Sequence, residues 1–560
     1  MIGAAALPDQ RTKPKEEAMP NSESFPGEVI IRDLSRAHPA AAIGTEAVKG
    51  KWRLLDWESG NSSGRLLFSY LDDTPEITIP LEVEGCYAIS LGLFQPPNRK
   101  NRIHVKLSGD SEYNELYQRQ GCRWIPLGEG SCRFEEQFWR FADLSGRDLH
   151  VATTPEGAGL GFIRLIPLNE SHVERLQRPA RVPWLCTVDG HGRFIESRTP
   201  ASQAVTGAIE PMTGSDFTTV SWCITGADVT NYDTNVGRRL DTRNEPTSRA
   251  LDTSISENIE RLIQDGHDTN ELAVQTAREN GLNVYLAHRP QHFNLEPPND
   301  THGSEFYQQN RHLACKTRDG RSLMQMSFAY PEVRRHLLDI LGELAVHQPD
   351  GLHIIFNRGI PCTLYEEPVV KEFEQEHGLD IRTLDDMDPR VVPFRYRYIT
   401  AYLTELRNEV GPDLPIVASC FATQALNDRY GLDIRGWAKS GLVQHLLPFL
   451  WEWEQDPYEM DVFKELADAT ACKIWPFAFN GNLHRAKLPR EHRRRTLELI
   501  RAGASGLAAW DAGLDLPPLN LGHVNELELW EELAVPLKQT DIHTIGGIAV
   551  DAVGTPHYCA

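Results

Sequence analysis

The 560-residue chain carries 57 Lys and Arg against 79 Asp and Glu, a formal net charge of −22, with 40% hydrophobic and 24% charged residues. A surface of that sign repels polyphosphates and anionic lipid, which excludes nucleic acid and membrane as partners and points to a neutral ligand unless local Arg and Lys reverse the field in the cleft. Length sets an expectation of two domains, since a single core rarely grows past about 250 to 300 residues.

The ten Cys are scattered, with no C-x-x-C pair and no His at zinc-finger spacing. Cys223, Cys420 and Cys472 lie inside apolar runs, where a reduced thiol behaves as a small hydrophobe. No run reaches the roughly 18 apolar residues of a membrane span, and the N-terminus lacks a basic stretch followed by a long apolar one. The expectation is a cytoplasmic chain, or a secreted one already trimmed of its signal; a homo-oligomer is compatible with this composition.

In chain order, residues 1–26 are rich in Pro, Lys, Glu, Ser and Asn and read as a flexible arm. From 27 to 170 the runs are short and strand-like: WRLLDW (52–57), RLLFSYL (65–71), ITIPLEV (77–83), YAISLGLF (87–94), IHVKLSG (103–109), QFWRFADL (137–144) and GFIRLIPL (161–168). Alternation and turn residues between the runs predict an antiparallel β-sandwich, an accessory domain. Residues 171–215, rich in Pro, Arg, Thr and Gly, read as a linker.

Over 216–540 strands alternate with helices: TTVSWCIT (218–225), helix within 254–280, LNVYLAH (282–288), helix 331–347, GLHIIFN (351–357), helices within 367–377 and 390–410, PIVASC (415–420), helix 434–440, LVQHLLPF (442–449), helix 459–470, KIWPFAF (473–479), helix 489–502 and GLAAWDA (507–513). Strands apolar on both faces, each followed by an amphipathic helix, predict a parallel sheet covered by helices, and six or seven such units favour a (β/α)8 TIM-type barrel in the α/β class. An open doubly wound sheet is the alternative. It lacks any G-x-G-x-x-G or G-x-x-x-x-G-K-[ST] at a strand-to-helix turn, so no nucleotide cofactor is expected. Residues 541–560 are left as a C-terminal extension.

Barrel active sites form at the C-terminal ends of the strands, which selects candidates by position. Carboxylates, amides, Arg and His mixed with aromatic rings at those ends suit a sugar, whose C–H faces stack on rings and whose hydroxyls bond to polar groups. Asp228, His288, Asn357, Arg358, Tyr365 and Asn480 are the expected positioning residues, with Trp451, Trp475 and Trp510 as stacking rings.

Glycoside cleavage needs two carboxyl groups. Glu366, in NRGIPCTLYEEP, is the expected acid, although Glu366 and Glu367 also suit the N-terminus of the following helix. Glu452, between Trp451 and Trp453, and Asp511, beside Trp510, compete for the partner role. His288 and His292 have the spacing of a helical zinc pair, but Pro290 between them opposes a helix and there is no His-Glu-x-x-His, so no metal is expected. No Ser lies in G-x-S-x-G, which leaves acyl chemistry unsupported.

The segment QPDGLHIIFNRGIPCTLYEEPVVKEFEQEHGLDIRTLDD, followed by RYRYITAYLTELRNEVG, resembles the uncharacterised, family-10-like glycosyl-hydrolase barrel proteins over roughly 280–515. Asp350 and Gly351 match the opening of their motif strand and Arg358 its close. The family's strand-end Asp falls at Ile355, which implies either that Glu366 replaces it or that the activity is lost. The resemblance implies a glycosidase acting by carboxylate general acid/base catalysis on an oligosaccharide or glycoside, with no redox cofactor. The competing expectations are a non-catalytic carbohydrate-binding protein on a hydrolase scaffold and a metal-dependent barrel lyase or isomerase.

Overall fold

The computed structural model describes residues 25–60, 62–69, 74–95, 102–111, 113–117, 133–153, 157–178, 181–190, 192–195, 200–241, 250–291, 303–449, 458–480, 489–511, 522–533, 539–546 and 548–549. The chain divides into two compact units. One comprises Met1–Gln118, Ile125–Glu170 and Lys538–Ala560, the other Arg119–Trp124 and Ser171–Leu537.

The first unit holds two sheets. The larger, of ten strands, runs Gln539–Asp541, Arg133–Asp143, Cys86–Gln95, Ala158–Pro167, Ser62–Ser69, Trp52–Ser59, Thr544–Ile545 and Ile548–Ala549, with two short strands attached to its side. The smaller is antiparallel throughout: Ile77–Ile79, Leu149–Ala152, Arg102–Leu107 and Asn114–Tyr117. Alternating side chains of both sheets, among them Leu67, Leu91 and Leu165 from one and Ile79, Val105 and Val151 from the other, share a single apolar cluster. Period-two burial such as that of Arg102–Leu107 is what puts one face of each strand into that cluster. Residues 539–549, which the sequence divides between the end of the barrel and a C-terminal extension, supply the strands Gln539–Asp541, Thr544–Ile545 and Ile548–Ala549 to the larger sheet.

The second unit is mixed α/β around a nine-stranded sheet in which every pairing is parallel. Its strands are β1 (Trp184–Val188), β2 (Phe217–Cys223), β3 (Asn283–His288), β4 (Gly351–Ile355), β5 (Ile416–Phe421), β6 (His445–Phe449), β7 (Lys473–Ile474), β8 (Phe477–Asn480) and β9 (Leu507–Trp510). The segment 171–215, expected as a linker, therefore contributes a strand, and β1 pairs with β2 on one side and β9 on the other. Along the sheet the order is β7-β6-β5-β4-β3-β2-β1-β9-β8. The two ends of that order, β7 and β8, are separated in sequence only by Trp475 and Pro476, and the proline cannot donate to a ladder. The Trp475 amide still donates to the Leu446 carbonyl at 2.9 Å, and the Ala508 amide donates to the Pro476 carbonyl at 2.9 Å.

The sheet is buried on both faces, as its uninterrupted apolar runs require: every residue of β1, β4, β5 and β6 is buried. Helices cover it between strands, including Thr269–Glu279, Pro331–Ala345, Val391–Val410 and Met460–Ala469. Their ends follow local chemistry. Asp268 caps Thr269–Glu279 by accepting the amides of Asn270 and Glu271, and Gly378, at φ 66°, closes Glu367–His377 in the left-handed conformation glycine favours.

Leu185, Cys223, Tyr285, Ile355, Val417, Leu447, Phe477 and Trp510 belong to one cluster drawn from eight of the strands. In the same sheet a polar row crosses three strands: His353 accepts or donates at Nδ1 to the Ser221 hydroxyl and at Nε2 to the Ser419 hydroxyl, both at 2.7 Å. Among the described residues no helix is long and apolar enough to cross a membrane.

Candidate active site

The C-terminal ends of β1, β2, β3, β4 and β9 deliver Asp189, Cys223, Arg289, Arg358 and Asp511 to one cluster, joined by Arg193 from the short turn Gly192–Phe194. Asp511 follows β9 directly. Its amide donates to the Thr187 carbonyl at 2.8 Å and its Oδ1 accepts the Asp189 amide at 2.8 Å, so the ends of β1 and β9 are tied through this one residue. The cost is a φ of 49° at a non-glycine residue, a left-handed conformation that costs on the order of 1 kcal/mol. Gly190 makes room for the exit of β1. A Cβ there would lie 1.9 Å from the Cys223 carbonyl oxygen and 2.5 Å from Asn231 Nδ2.

Charges alternate around the cluster. Asp189 pairs with Arg289, NH2 to Oδ1, at 2.6 Å. Arg193 NH2 lies 3.9 Å from Asp511 Oδ1. The guanidiniums of Arg289 and Arg358 each sit 5.5 Å from the centroid of the Trp510 ring, which gives both cations a favourable aromatic face. Asp511, Arg289 and Arg193 are all buried, whereas Arg358 keeps part of its surface in solvent.

The environment separates the titrating groups. Burial, reinforced by the negative charge of Asp189, pushes the Asp511 carboxyl up to about 6. Burial works against the charge on Arg289, yet Asp189 lifts it above the ordinary guanidinium range. Arg358 is lowered to about 10 by burial and by the neighbouring charge of Arg289. Burial raises the Cys223 thiol to about 12, and its Sγ–H donates to the Ile224 carbonyl at 2.9 Å, so it is no nucleophile at neutral pH.

The structure thus brings Asp511, Trp510 and Arg358 together, with Asn357 buried immediately before Arg358. Glu366 is placed elsewhere. It is fully buried at the N-cap position of Glu367–His377, and its carboxylate accepts the amides of Lys316 at 2.9 Å and Leu364 at 3.0 Å. Burial raises its pKa against those amides. Asp228 accepts the Ser304 hydroxyl at 2.6 Å and pairs with His336 Nε2 at 2.9 Å. His288 bonds through Nε2 to the Ala227 carbonyl at 2.7 Å, and burial lowers it to about 4, so it is neutral. Tyr365 donates to Asp386 and lies under Arg318 and Arg395.

Trp475 sits within the apolar cluster and packs on Gly506, where an added Cβ would come within 2.3 Å of its ring. Glu452 and Trp451 lie outside the described residues, as does the side chain of Asn480.

Asp189 and Arg193 are absent from the residues the sequence singles out, whereas Arg289, directly after the run 282–288, is reached by its position at a strand end but given no role. For Asp189 the sequence carries a signal: WLCTVDG (184–190) and LAAWDAG (507–513) are both apolar runs ending in an Asp and a small residue, but the Pro and Arg around the first make it read as linker. Among the described residues no three His, Cys, Asp or Glu side chains gather as a metal site.

No family model matches the chain, and no curated protein matches it. Among solved structures it is similar to alpha-L-fucosidase isoenzyme 2 from Paenibacillus thiaminolyticus, at 14% identity and a TM-score of 0.38, over 63% of this chain and 50% of that one. The chain thus spans half the length of that fucosidase. It is also similar to the alpha-galactosidase TtGalA from Thermus thermophilus, at 11% identity and TM-score 0.36, over 84% of this chain and 95% of that one. A ruminal GH26 endo-beta-1,4-mannanase follows at 12% identity and TM-score 0.31, over 90% and 97%. These neighbours are glycoside hydrolases, but likeness at this level carries no weight for the chemistry, which rests on the side chains.

Proposed function

We propose that the chain is a glycoside hydrolase whose acid is Asp511 and whose ionised partner is Asp189. In this reading β7 and β8 are one strand interrupted at Pro476, the parallel sheet closes on itself as a (β/α)8 barrel, and the two sheets of the first unit form a β-sandwich. The family-10-like resemblance is kept as part of the same reading.

The observation that carries it is the pairing of two carboxyl groups of unlike character at adjacent strand ends. Asp511 holds its proton up to about pH 6, while Asp189 is clamped by Arg289. A carboxyl raised by burial beside a carboxylate paired with a guanidinium offers the two groups that acid-assisted glycosidic cleavage requires. Asp511 gives its proton to the leaving oxygen as the glycosidic C–O bond breaks. Asp189 faces the positive charge that develops on the sugar ring and acts as nucleophile or as base toward water. Arg289 orients Asp189, Trp510 supports Arg289 and Arg358, and Glu366 has a structural part, accepting the amides of Lys316 and Leu364.

The test is hydrolysis of a panel of aryl glycosides and oligosaccharides by the intact chain and by Asp511→Asn and Asp189→Asn. Turnover lost in both variants supports the pair. Turnover untouched in both overturns it, and sugar binding without turnover in the intact chain assigns a carbohydrate-binding protein instead.

A further inference from the structure

Three guanidiniums, from Arg193, Arg289 and Arg358, surround two carboxyls, from Asp189 and Asp511. Among the described residues the cluster is positive by one charge with both acids ionised, and by two when Asp511 keeps its proton. That sign is the reverse of the chain as a whole, at −22.

Arg193 is 4% exposed, yet its Nε and one terminal nitrogen make no hydrogen bond, and the Asp511 oxygen at 3.9 Å is beyond hydrogen-bonding distance. Arg289 is 0% exposed; its NH1 reaches the Thr225 carbonyl at 3.4 Å and its NH2 reaches Asp189, but its Nε has no hydrogen-bond partner. The hydroxyls of Thr187 and Thr225, at the ends of the same strands, are also buried without a hydrogen-bond partner. Buried donors are nearly always satisfied in folded proteins, and buried cations need a counter-charge. Donors of this kind at the site of a reaction are held for the ligand.

We infer that the sugar this site accepts carries a carboxylate, as a uronic acid does, and that Arg193 is the residue that selects it. The excess of positive charge, present whether or not Asp511 holds its proton, favours an anionic group on the sugar. The planar fork of a guanidinium, offering Nε and a terminal N–H side by side, matches a planar carboxylate through two parallel hydrogen bonds. Arg358 is the one arginine of the three that is only partly buried, and its guanidinium shares the Trp510 face with that of Arg289. Arg193 is a specificity residue in this account and takes no part in bond cleavage.

This inference rests on the hydrolase reading for its location and is tested apart from it. Binding of glucuronate and galacturonate, their neutral parents glucose and galactose, and the corresponding sugar sulfates is measured calorimetrically on the intact chain and on Asp511→Asn; hydrolysis of aryl uronosides and neutral aryl glycosides is measured in parallel. The expected result is a preference for a uronate over its neutral parent of roughly tenfold or more, lost in Arg193→Met and partly restored in Arg193→Lys.

Equal binding of acidic and neutral sugars overturns the inference, and so does a sulfate bound as well as the carboxylate. Neutral glycosides cleaved while uronosides are neither bound nor cleaved would remove the inference and leave the hydrolase standing. Uronate bound tightly with no glycoside of either kind cleaved would keep the inference and remove the hydrolase. The comparison on the intact chain decides the matter even where an Arg193 variant fails to fold.

Discussion

The backbone amide of Asp189 donates to the carboxylate of Asp511 at 2.8 Å, so the residue that ends the first strand of the parallel sheet and the residue that ends its last are joined by a single hydrogen bond. The contact sets both the geometry and the proton affinity of the cluster. Asp511 is turned into it by a left-handed backbone, and the charge of Asp189 adds to burial in raising its pKa.

Asp511→Asn separates catalysis from stability. The Asn oxygen can still accept the Asp189 amide, but the proton is gone, and turnover should fall by about 10²-fold or more. The folded-state pKa of Asp511, about 6, lies above the ordinary value of 3.8. The unfolded chain therefore loses its proton first, and stability declines as pH rises from about 4 to about 6 and stays lower above that. The variant removes this penalty, so its melting temperature at pH 7.5 should equal or exceed that of the parent. A clear drop in melting temperature would contradict the assignment.

Arg193→Met replaces a buried cation with unfilled donors by an apolar chain of similar length. Removal of an under-compensated charge is often neutral or stabilising. Thermal unfolding of the ligand-free variant should occur at or above the parent's temperature, and a marked fall would show that Arg193 is held for structure.

Gly190→Ala forces a Cβ into the Cys223 carbonyl, 1.9 Å away. Backbone atoms cannot yield as a flexible side chain does, so the β1 exit must move and carry Asp189 with it. Both melting temperature and turnover should fall, the latter by more than the lost folded fraction accounts for; retention of both would show that the strand end is plastic.

Glu366→Ala leaves the amides of Lys316 and Leu364 without their acceptor. The expected cost is about 1 to 3 kcal/mol of stability, read by denaturant unfolding, with turnover per folded molecule preserved. Loss of turnover in a fully folded variant would return the acid role to Glu366.

Three buried histidines set the acid limit. Burial lowers His288 to about 4, His353 to about 3 and His445 to about 4, all below the ordinary 6.5. Between those values the unfolded chain binds the proton and the folded chain does not. Stability from these groups is therefore present above about pH 6.5 and is lost as pH falls. Asp511 and Glu366 act in the opposite direction but are fewer. Melting temperature should decline from pH 6.5 to pH 4.5, with net proton uptake on unfolding at pH 5; net release there would contradict the neutral state of the histidines.

GLHIIFN and PIVASC were legible because burial on both faces leaves long apolar runs, and the helix over 367–377 because its apolar residues recur at helical spacing; all three fall where the sequence puts them. β1 was missed because Pro, Arg and Thr on either side of WLCTV read as linker, and a five-residue run has no period to distinguish it. The chain's last strands were missed because two- and three-residue strands leave no pattern at all. Asp511 and Arg358 were legible by position at a strand end. Asp189 went unseen with its strand, and Arg193 could not be found, since only the fold of the turn after β1 brings it to Asp511.

The pH dependence of kcat/KM for the best glycoside found in the panel tests the Asp511–Asp189 pair most directly. The expected profile falls with a midpoint near pH 6 as Asp511 loses its proton, and in an Asp189→Asn variant with residual turnover the midpoint moves down, because the charge that raised it is gone. A rate that stays flat from pH 5 to 8, or a midpoint that ignores the Asp189 substitution, would contradict the pair.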